Sequence, residues 1–168
     1  YPHGTIDDLE NLGQLAMKRG VLFHVDACIG GMMLPFLPQQ QNNPLFDFRI
    51  PGVTSLSIDL HKYGFSAKGA SVILYRDREL RKKQFSIYTD WPGGIYGSPS
   101  LAGSRPGGTI AAAWTALNCI GITGYENHAA RAMIVTRKVI RHIVEHPELE
   151  LLGSPDMTIV AFKCQNIN

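Results

Sequence analysis

The sequence predicts a mixed α/β fold, with a mostly parallel sheet covered by helices and then the start of a small α+β domain. Three observations predict it. A helix-period segment runs within a few residues into a short, almost continuous apolar stretch, which is the αβ half of a βαβ unit. Two further short apolar runs come next, and only then does a long amphipathic pattern lead to a last strand. The chain has 168 residues, 45% hydrophobic and 18% charged, enough for one good core and unlike a disordered chain.

Thr5 followed by Asp8 reads as a capping-box-like start, and Leu9, Leu12, Leu15 and Ala16 then recur at helical spacing until Gly20. Val21 to Val25 is the apolar run of a strand buried on both faces. Pro35 to Pro51, rich in Pro, Gln and Asn, reads as a surface excursion. Val53 to Ile58 and Ala70 to Tyr75 read as two more strands, separated by a loop that includes Asp59 to Gly64. Asp77 can cap a short helix rich in Arg and Lys. Trp91 to Gly108 is dense in Gly and Pro and reads as loop. Helical spacing resumes from Thr109 to Ile120, and Gly124 introduces a longer amphipathic helix carrying Tyr125, Ala129, Ala132, Met133, Val139, Ile140 and Ile143. Ser154-Pro155 then turns the chain into a last strand, Met157 to Phe162. The domains expected are 1–122 and 123–168. The opening on a helix cap and the stop after a strand lead to the expectation of a fragment, inactive by itself.

Sixteen Lys+Arg against fourteen Asp+Glu give a formal charge of +2, too little to argue a nucleic-acid partner. No apolar run of the length needed to span a bilayer is present. Three cysteines, Cys28, Cys119 and Cys164, are far apart and odd in number, which speaks against a disulfide framework. His142 and His146 are four apart on a helix, but Pro147 follows and no third ligand is in view, so no metal is expected.

Three segments can carry chemistry. Asp26, in His24-Val25-Asp26-Ala27, ends a buried strand, where open α/β sheets place ligands. A helix cap or a structural ion pair is the competing reading. Gly30-Gly31 lets the backbone pass close to something flat. Lys62, just after a strand and beside His61, is placed for amine chemistry if burial and cationic neighbours depress its pKa; a surface lysine is the plainer alternative. Gly103-Ser104-Arg105, directly before a helix, offers N–H groups, a hydroxyl and a guanidinium to an anion, or else forms a simple Gly-rich linker.

In order and spacing these segments resemble the group II pyridoxal-phosphate decarboxylase superfamily, and within it the lyases that cleave phosphorylated long-chain bases. HVDACIGG (24–31), FDFRIPGVTSLSIDLHKYGFSAKGASVILY (46–75) and TDWPGGIYGSPSLAGSRPGG (89–108) carry the resemblance. It implies a fold-type-I, pyridoxal-phosphate-dependent transferase-like architecture. It also implies that Asp26 pairs with the pyridinium nitrogen and that Ala27 lies against the ring. Lys62 would hold pyridoxal 5′-phosphate as a Schiff base, and His61 would help bind its phosphate, with His24 behind. Gly103 and Ser104 would reach the cofactor phosphate of a neighbouring subunit, implying a homodimer with shared sites. Lys68 would meet the substrate's phosphate, and Arg105 would assist there or order its loop.

The reaction implied is retro-aldol cleavage of a phosphorylated sphingoid base to phosphoethanolamine and a fatty aldehyde. A ring-stacking histidine, a second phosphate loop and a base tyrosine would lie outside these 168 residues. The location implied is cytoplasmic for a soluble bacterial form. For a eukaryotic form it is a cytosol-facing domain behind an endoplasmic-reticulum anchor. Two other readings stand beside this one. One is an amino-acid decarboxylase of the same superfamily, which needs a carboxylate grip where Lys68 and the AGSRPGG loop suit a phosphate. The other is a cofactor-free fragment that associates with an intact subunit.

Overall fold

The computed structural model describes residues 1–38 and 43–165. Helix α1, Leu9–Arg19, begins at Asp8, whose carboxylate accepts from the Asn11 backbone N–H (3.3 Å) and from Asn11 Nδ2 (2.6 Å). The cap is thus Asp8 and not Thr5, because the nearer carboxylate satisfies the first free amides. Gly20 ends the helix in the left-handed conformation.

The main sheet has three strands in the order β1 (His24–Asp26), β2 (Ser55–Ile58) and β3 (Val72–Tyr75). β1 and β2 are parallel, with His24 opposite Ser55 and Asp26 opposite Ser57. β3 returns antiparallel, pairing Ile58 with Val72. The first strand begins later than its apolar pattern suggests: Phe23 is pinned to Thr54, while Val21 and Leu22 are exposed.

Two 3-10 turns, Gly30–Met32 and Leu34–Phe36, come after β1. The expected surface excursion is only partly on the surface, since Phe46 and Ile50 are buried in the core. Gln39 to Asn42, its most polar part, lie outside the described residues. Arg76 fastens the remainder by donating to the carbonyls of Phe48 (3.0 Å), Ile50 (2.6 Å) and Val53 (2.6 Å). The core joins Leu9, Val25, Met33, Leu34, Val53 and Leu56 to Ala129 and Met157 from the later part of the chain.

α2, Arg78–Lys82, is capped by Asp77 as expected. Within the stretch read as loop, Tyr96–Ser98 is instead a strand, β5, which pairs as a hairpin with β4 (Ser86–Tyr88) just before that stretch. Its alternation is masked by Pro92, Gly93 and Gly94 at the turn and by a mostly exposed backbone. α3, Gly107–Glu145, is two helical arms broken at Gly121 (φ 63°, ψ 176°), three residues before the break that Gly124 suggests. After it come β6 (Leu149–Leu152) and β7 (Ala161–Cys164), an antiparallel pair with Glu150 facing Lys163 at 3.0 Å. The last strand therefore lies later than Met157 to Phe162. Met157 is drawn into the core, and the missed β6 is the partner that sets the register of β7. Among the described residues no helix is long and apolar enough to cross a membrane.

Two glycines let α1 sit on the segment before β2. A Cβ on Gly52 would lie 2.1 Å from the Gly13 carbonyl oxygen and 2.7 Å from the Gly13 Cα. Backbone meets backbone there, so no side chain can yield. Gly52→Ala in the full-length protein is therefore expected to cost about 3 kcal/mol, the upper end for overpacking. Urea unfolding checks it, and an unchanged midpoint would show that α1 can move away.

Candidate active site

The parallel pair brings the carboxyl ends of β1 and β2 to one edge of the sheet, the place where such sheets bind ligands. Asp26, at the end of β1, is exposed, while Val25 before it and Ala27 after it are buried. Its Oδ1 accepts from the Cys28 backbone N–H (3.0 Å) and from Ser57 Oγ (3.2 Å). Those contacts hold the Asp26 carboxyl below the usual range: the Cys28 amide first, then the Cys28 thiol, against burial, with Ser57 and the nearby His24 adding. His24 spans Ser55 Oγ (2.8 Å) and Ser57 Oγ (3.2 Å), so it supports Asp26 through Ser57. The competing reading of Asp26 as a helix cap does not describe it, since no helix starts there; a 3-10 turn begins only at Gly30.

Lys62 lies in the turn after β2. Its backbone N–H bonds the Asp59 carbonyl (3.2 Å), and the His61 N–H bonds Ala70 (3.0 Å). Lys62 Nζ reaches Cys28 Sγ at 3.0 Å and Asp59 Oδ2 at 2.9 Å. Asp26, Cys28 and Lys62 thus form one continuous line of contacts. The condition set from the sequence, that burial and cationic neighbours depress the amine, is not met in this structure. The partners of this half-buried nitrogen are a thiol and a carboxylate, and its pKa is raised above the ordinary lysine value, by Cys28 first and then Asp59, with burial opposing. Asp59 is held below the usual carboxylate range: burial pushes it up, but Ser71, Lys62 and His61 together outweigh that.

For both carboxyls the folded pKa lies below the ordinary aspartate value of 3.8. Their contribution to stability is therefore present above that value and lost as pH falls through the lower folded pKa.

His61 Nε2 is 3.7 Å from Asp59 Oδ2, while its Nδ1 is buried with no hydrogen-bond partner among the described residues. Such an atom needs a hydrogen-bond partner from outside the described chain. Tyr125 Oη donates to the Gly64 carbonyl at 2.8 Å, and Tyr63 Oη bonds Thr158 Oγ1, so the lysine loop is fastened from two later segments.

Other expected site residues are placed differently. A Cβ on Gly31 would lie 2.7 Å from Ile58 Cγ1, so the glycine lets the chain after β1 pack against β2. A Cβ on Gly69 would meet Thr109 Cγ2 at 3.5 Å, which sets the loop bearing exposed Lys68 against the first turn of α3. Gly103 has φ 67°, and Ser104 is exposed. Arg105 turns back on its own loop, donating to Ser100 Oγ (2.7 Å) and the Gly103 carbonyl (3.5 Å). These three residues make no hydrogen bond to Asp26, His61 or Lys62 among the described residues. Among those residues, too, no group of three or more His, Cys, Asp or Glu could hold a metal. Cys28 and Asp59 carry no role in the sequence reading; the one available signal is that Asp59 stands three positions before Lys62 in a single turn.

The pyridoxal-dependent decarboxylase conserved domain matches residues 2–165. The chain is 47% identical over 169 residues to the sphingosine-1-phosphate lyase of Oryza sativa subsp. japonica, covering 100% of this chain and 31% of the relative. With the sphingosine-1-phosphate lyase of Saccharomyces cerevisiae it shares 42% over 171 residues, 100% of this chain and 29% of the relative. The solved sphingosine-1-phosphate lyase of Burkholderia pseudomallei superimposes with a TM-score of 0.87 at 44% identity, covering 98% of this chain and 38% of that one. Glutamate decarboxylase of Lactobacillus brevis, 21% identical with a TM-score of 0.79 over 97% of this chain and 38% of its own, shares the fold. The chain belongs to the pyridoxal-dependent decarboxylase family, and its fold is that of the family's lyases and decarboxylases. It spans less than a third of the length of the two curated lyases named.

Asp26 is held ionised at the end of β1; for the ring-pairing role that the family resemblance implies, Asp26→Asn in the full-length protein is expected to cut turnover about ten-fold or more while cofactor affinity falls less. Steady-state kinetics and cofactor titration separate the two, and near-normal turnover would leave Asp26 a structural role only.

Proposed function

We propose that this chain carries the lysine-bearing part of a pyridoxal-phosphate-dependent carbon–carbon lyase. The reaction is cleavage of a phosphorylated long-chain sphingoid base to phosphoethanolamine and a fatty aldehyde. The observation that carries the reading is the contact line Asp26–Cys28–Lys62 at the carboxyl end of the sheet. Identity of 42 and 47% to lyases of that name, along the whole chain, supports it.

The residues present fit the cofactor. Asp26 offers an ionised, exposed carboxylate to a ring N–H; Lys62 offers an amine; and the buried Nδ1 of His61 lacks the acceptor that a phosphate oxygen supplies. Pyridoxal phosphate, when bound, provides an electron sink for the pair released as the substrate's carbon–carbon bond breaks. The chain's own residues prepare that chemistry. Asp26 keeps a proton on the ring nitrogen, because its charge is fixed by the Cys28 amide and Ser57. Lys62 would hold the cofactor through its amine and would hold or move a proton at Nζ, and Ala27 would lie against the ring. Lys68 meets the substrate's phosphate as a cation. Gly103 and Ser104 reach the cofactor phosphate of a second subunit, in a homodimer with shared sites. On this reading residues 1–122 close the cofactor domain and 123–168 open the small one.

The deciding experiment supplies the full-length protein with phosphorylated and unphosphorylated long-chain bases and measures aldehyde release. Release from the phosphorylated base alone supports the lyase. Carbon dioxide release from an amino acid, with no aldehyde, would make it a decarboxylase. Borohydride treatment of the loaded enzyme should attach the cofactor to the peptide containing Lys62, and Lys62→Ala should abolish both attachment and turnover; attachment at Lys68 would overturn the assignment. Lys68→Ala should raise KM for the phosphorylated base roughly 10- to 150-fold, from the loss of one charge-assisted contact, with the cofactor spectrum unchanged.

A further inference from the structure

We propose that Asp59 is the positioning residue for Lys62: its carboxylate, anchored by Ser71, holds the lysine nitrogen in place as an ammonium until that nitrogen is needed. The inference rests on the reading of Lys62 as the cofactor's amine, and it adds a residue that has no part in the contact line from Asp26.

The geometry carries it. Asp59 and Lys62 stand three apart in one tight turn, with Nζ 2.9 Å from Oδ2. The other oxygen, Oδ1, accepts from Ser71 Oγ, which comes from the segment leading into β3, so the carboxylate is fixed from a different part of the fold. The pair is only partly shielded, with side-chain exposures of 16% for Asp59 and 33% for Lys62. Oδ2 also faces His61 Nε2 at 3.7 Å, so one oxygen addresses both residues of the His61-Lys62 pair.

The titratable groups facing Lys62 Nζ are Cys28, from the end of β1, and Asp59, from its own turn; those facing Asp59 are Lys62 and His61. Cys28 stands first among the groups that raise the Lys62 pKa, but a thiol sulfur is a weak acceptor, whereas the carboxylate brings a full negative charge at 2.9 Å, so Asp59 is the stronger hold on the ammonium. A nitrogen can attack a carbonyl carbon only with a free lone pair. A carboxylate that favours the ammonium therefore sets the pH above which Lys62 becomes reactive, and it aims Nζ toward Cys28 and the end of β1.

The test uses the full-length protein stripped of cofactor. Lys62 is labelled with an amine-reactive reagent across a pH series, and the extent of reaction is read by mass spectrometry. Loss of an adjacent opposite charge lowers an amine's pKa by about one unit or more. Asp59→Asn should therefore shift the labelling midpoint down and speed Lys62 labelling about ten-fold or more at pH values below both midpoints. Asp59→Glu should restore the higher midpoint, and Cys28→Ala should move it less than Asp59→Asn does.

An unmoved midpoint in Asp59→Asn overturns the proposal, and so does a shift in Cys28→Ala that equals or exceeds it. Should Asp59→Asn not fold, Lys62→Met gives the reciprocal reading. Without the ammonium the Asp59 carboxyl must titrate at higher pH, seen in its 13C shift, and no change there also overturns the proposal. Borohydride attachment at Lys62 tests the cofactor reading separately, so either can fail while the other stands.

Discussion

β1 and β2 run in the same direction, with Asp26 opposite Ser57, and the site depends on that register. Two parallel strands deliver their outgoing turns to the same edge of a sheet, whereas antiparallel strands send them to opposite edges. The turn 59–64 therefore arrives beside Asp26 and Cys28, although more than thirty residues separate them in sequence. Ser57 serves both sides of the junction: its hydroxyl bonds Asp26, and its carbonyl takes the Ala27 N–H at 3.0 Å. Val25 and Leu56, buried between, lock the strands in that register, because a slip of one residue would turn each of them outward.

The two carboxylates of the site are stabilised in different ways. Asp26 is hydrogen-bonded by an amide, a hydroxyl and a thiol, with His24 nearby, and among the described residues it forms no salt bridge. Asp59 faces an ammonium and an imidazole from its own turn. Neutral donors fix a charge without cancelling it, so Asp26 stays free to pair with an incoming cation. Asp59 has its cation already. The two carboxylates near Lys62 thus differ in kind, one without a paired cation among the described residues and one already paired.

Much of the fold and half of the site are legible from residues alone. The helix-to-strand step at Gly20, the strand before Asp59 and the capping role of Asp77 follow local rules, and the structure obeys them too. Asp26 and Lys62 stand out because each comes at the end of a strand. Hidden from the sequence are the contacts made across it. Lys62 with Cys28 is a pairing 34 residues apart, and the anchor of Asp59 comes from Ser71 on another segment. The sign of the shift at Lys62 is hidden for the same reason: an adjacent histidine is visible in the sequence, but the carboxylate that folds back onto the lysine is not. The hairpin β4–β5 is concealed by the Pro and Gly of its own turn, and β6 by its brevity beside Pro147.

The two tyrosine hydroxyls give the lysine loop a distinctive mechanical status. Tyr125 is buried on the long helix and grips the Gly64 carbonyl, while Tyr63 grips Thr158 in the segment before the last strand. Phe65, directly after those anchors, keeps a left-handed φ of 56° while its ring packs on His128 at 4.9 Å. A loop held in this way cannot fray by itself. To open, it must pull its fastenings out of the helix and the C-terminal segment, so its amide protons exchange with the larger body rather than with the surface. The turn that carries Lys62 is thus fastened to the same body as the core beneath it.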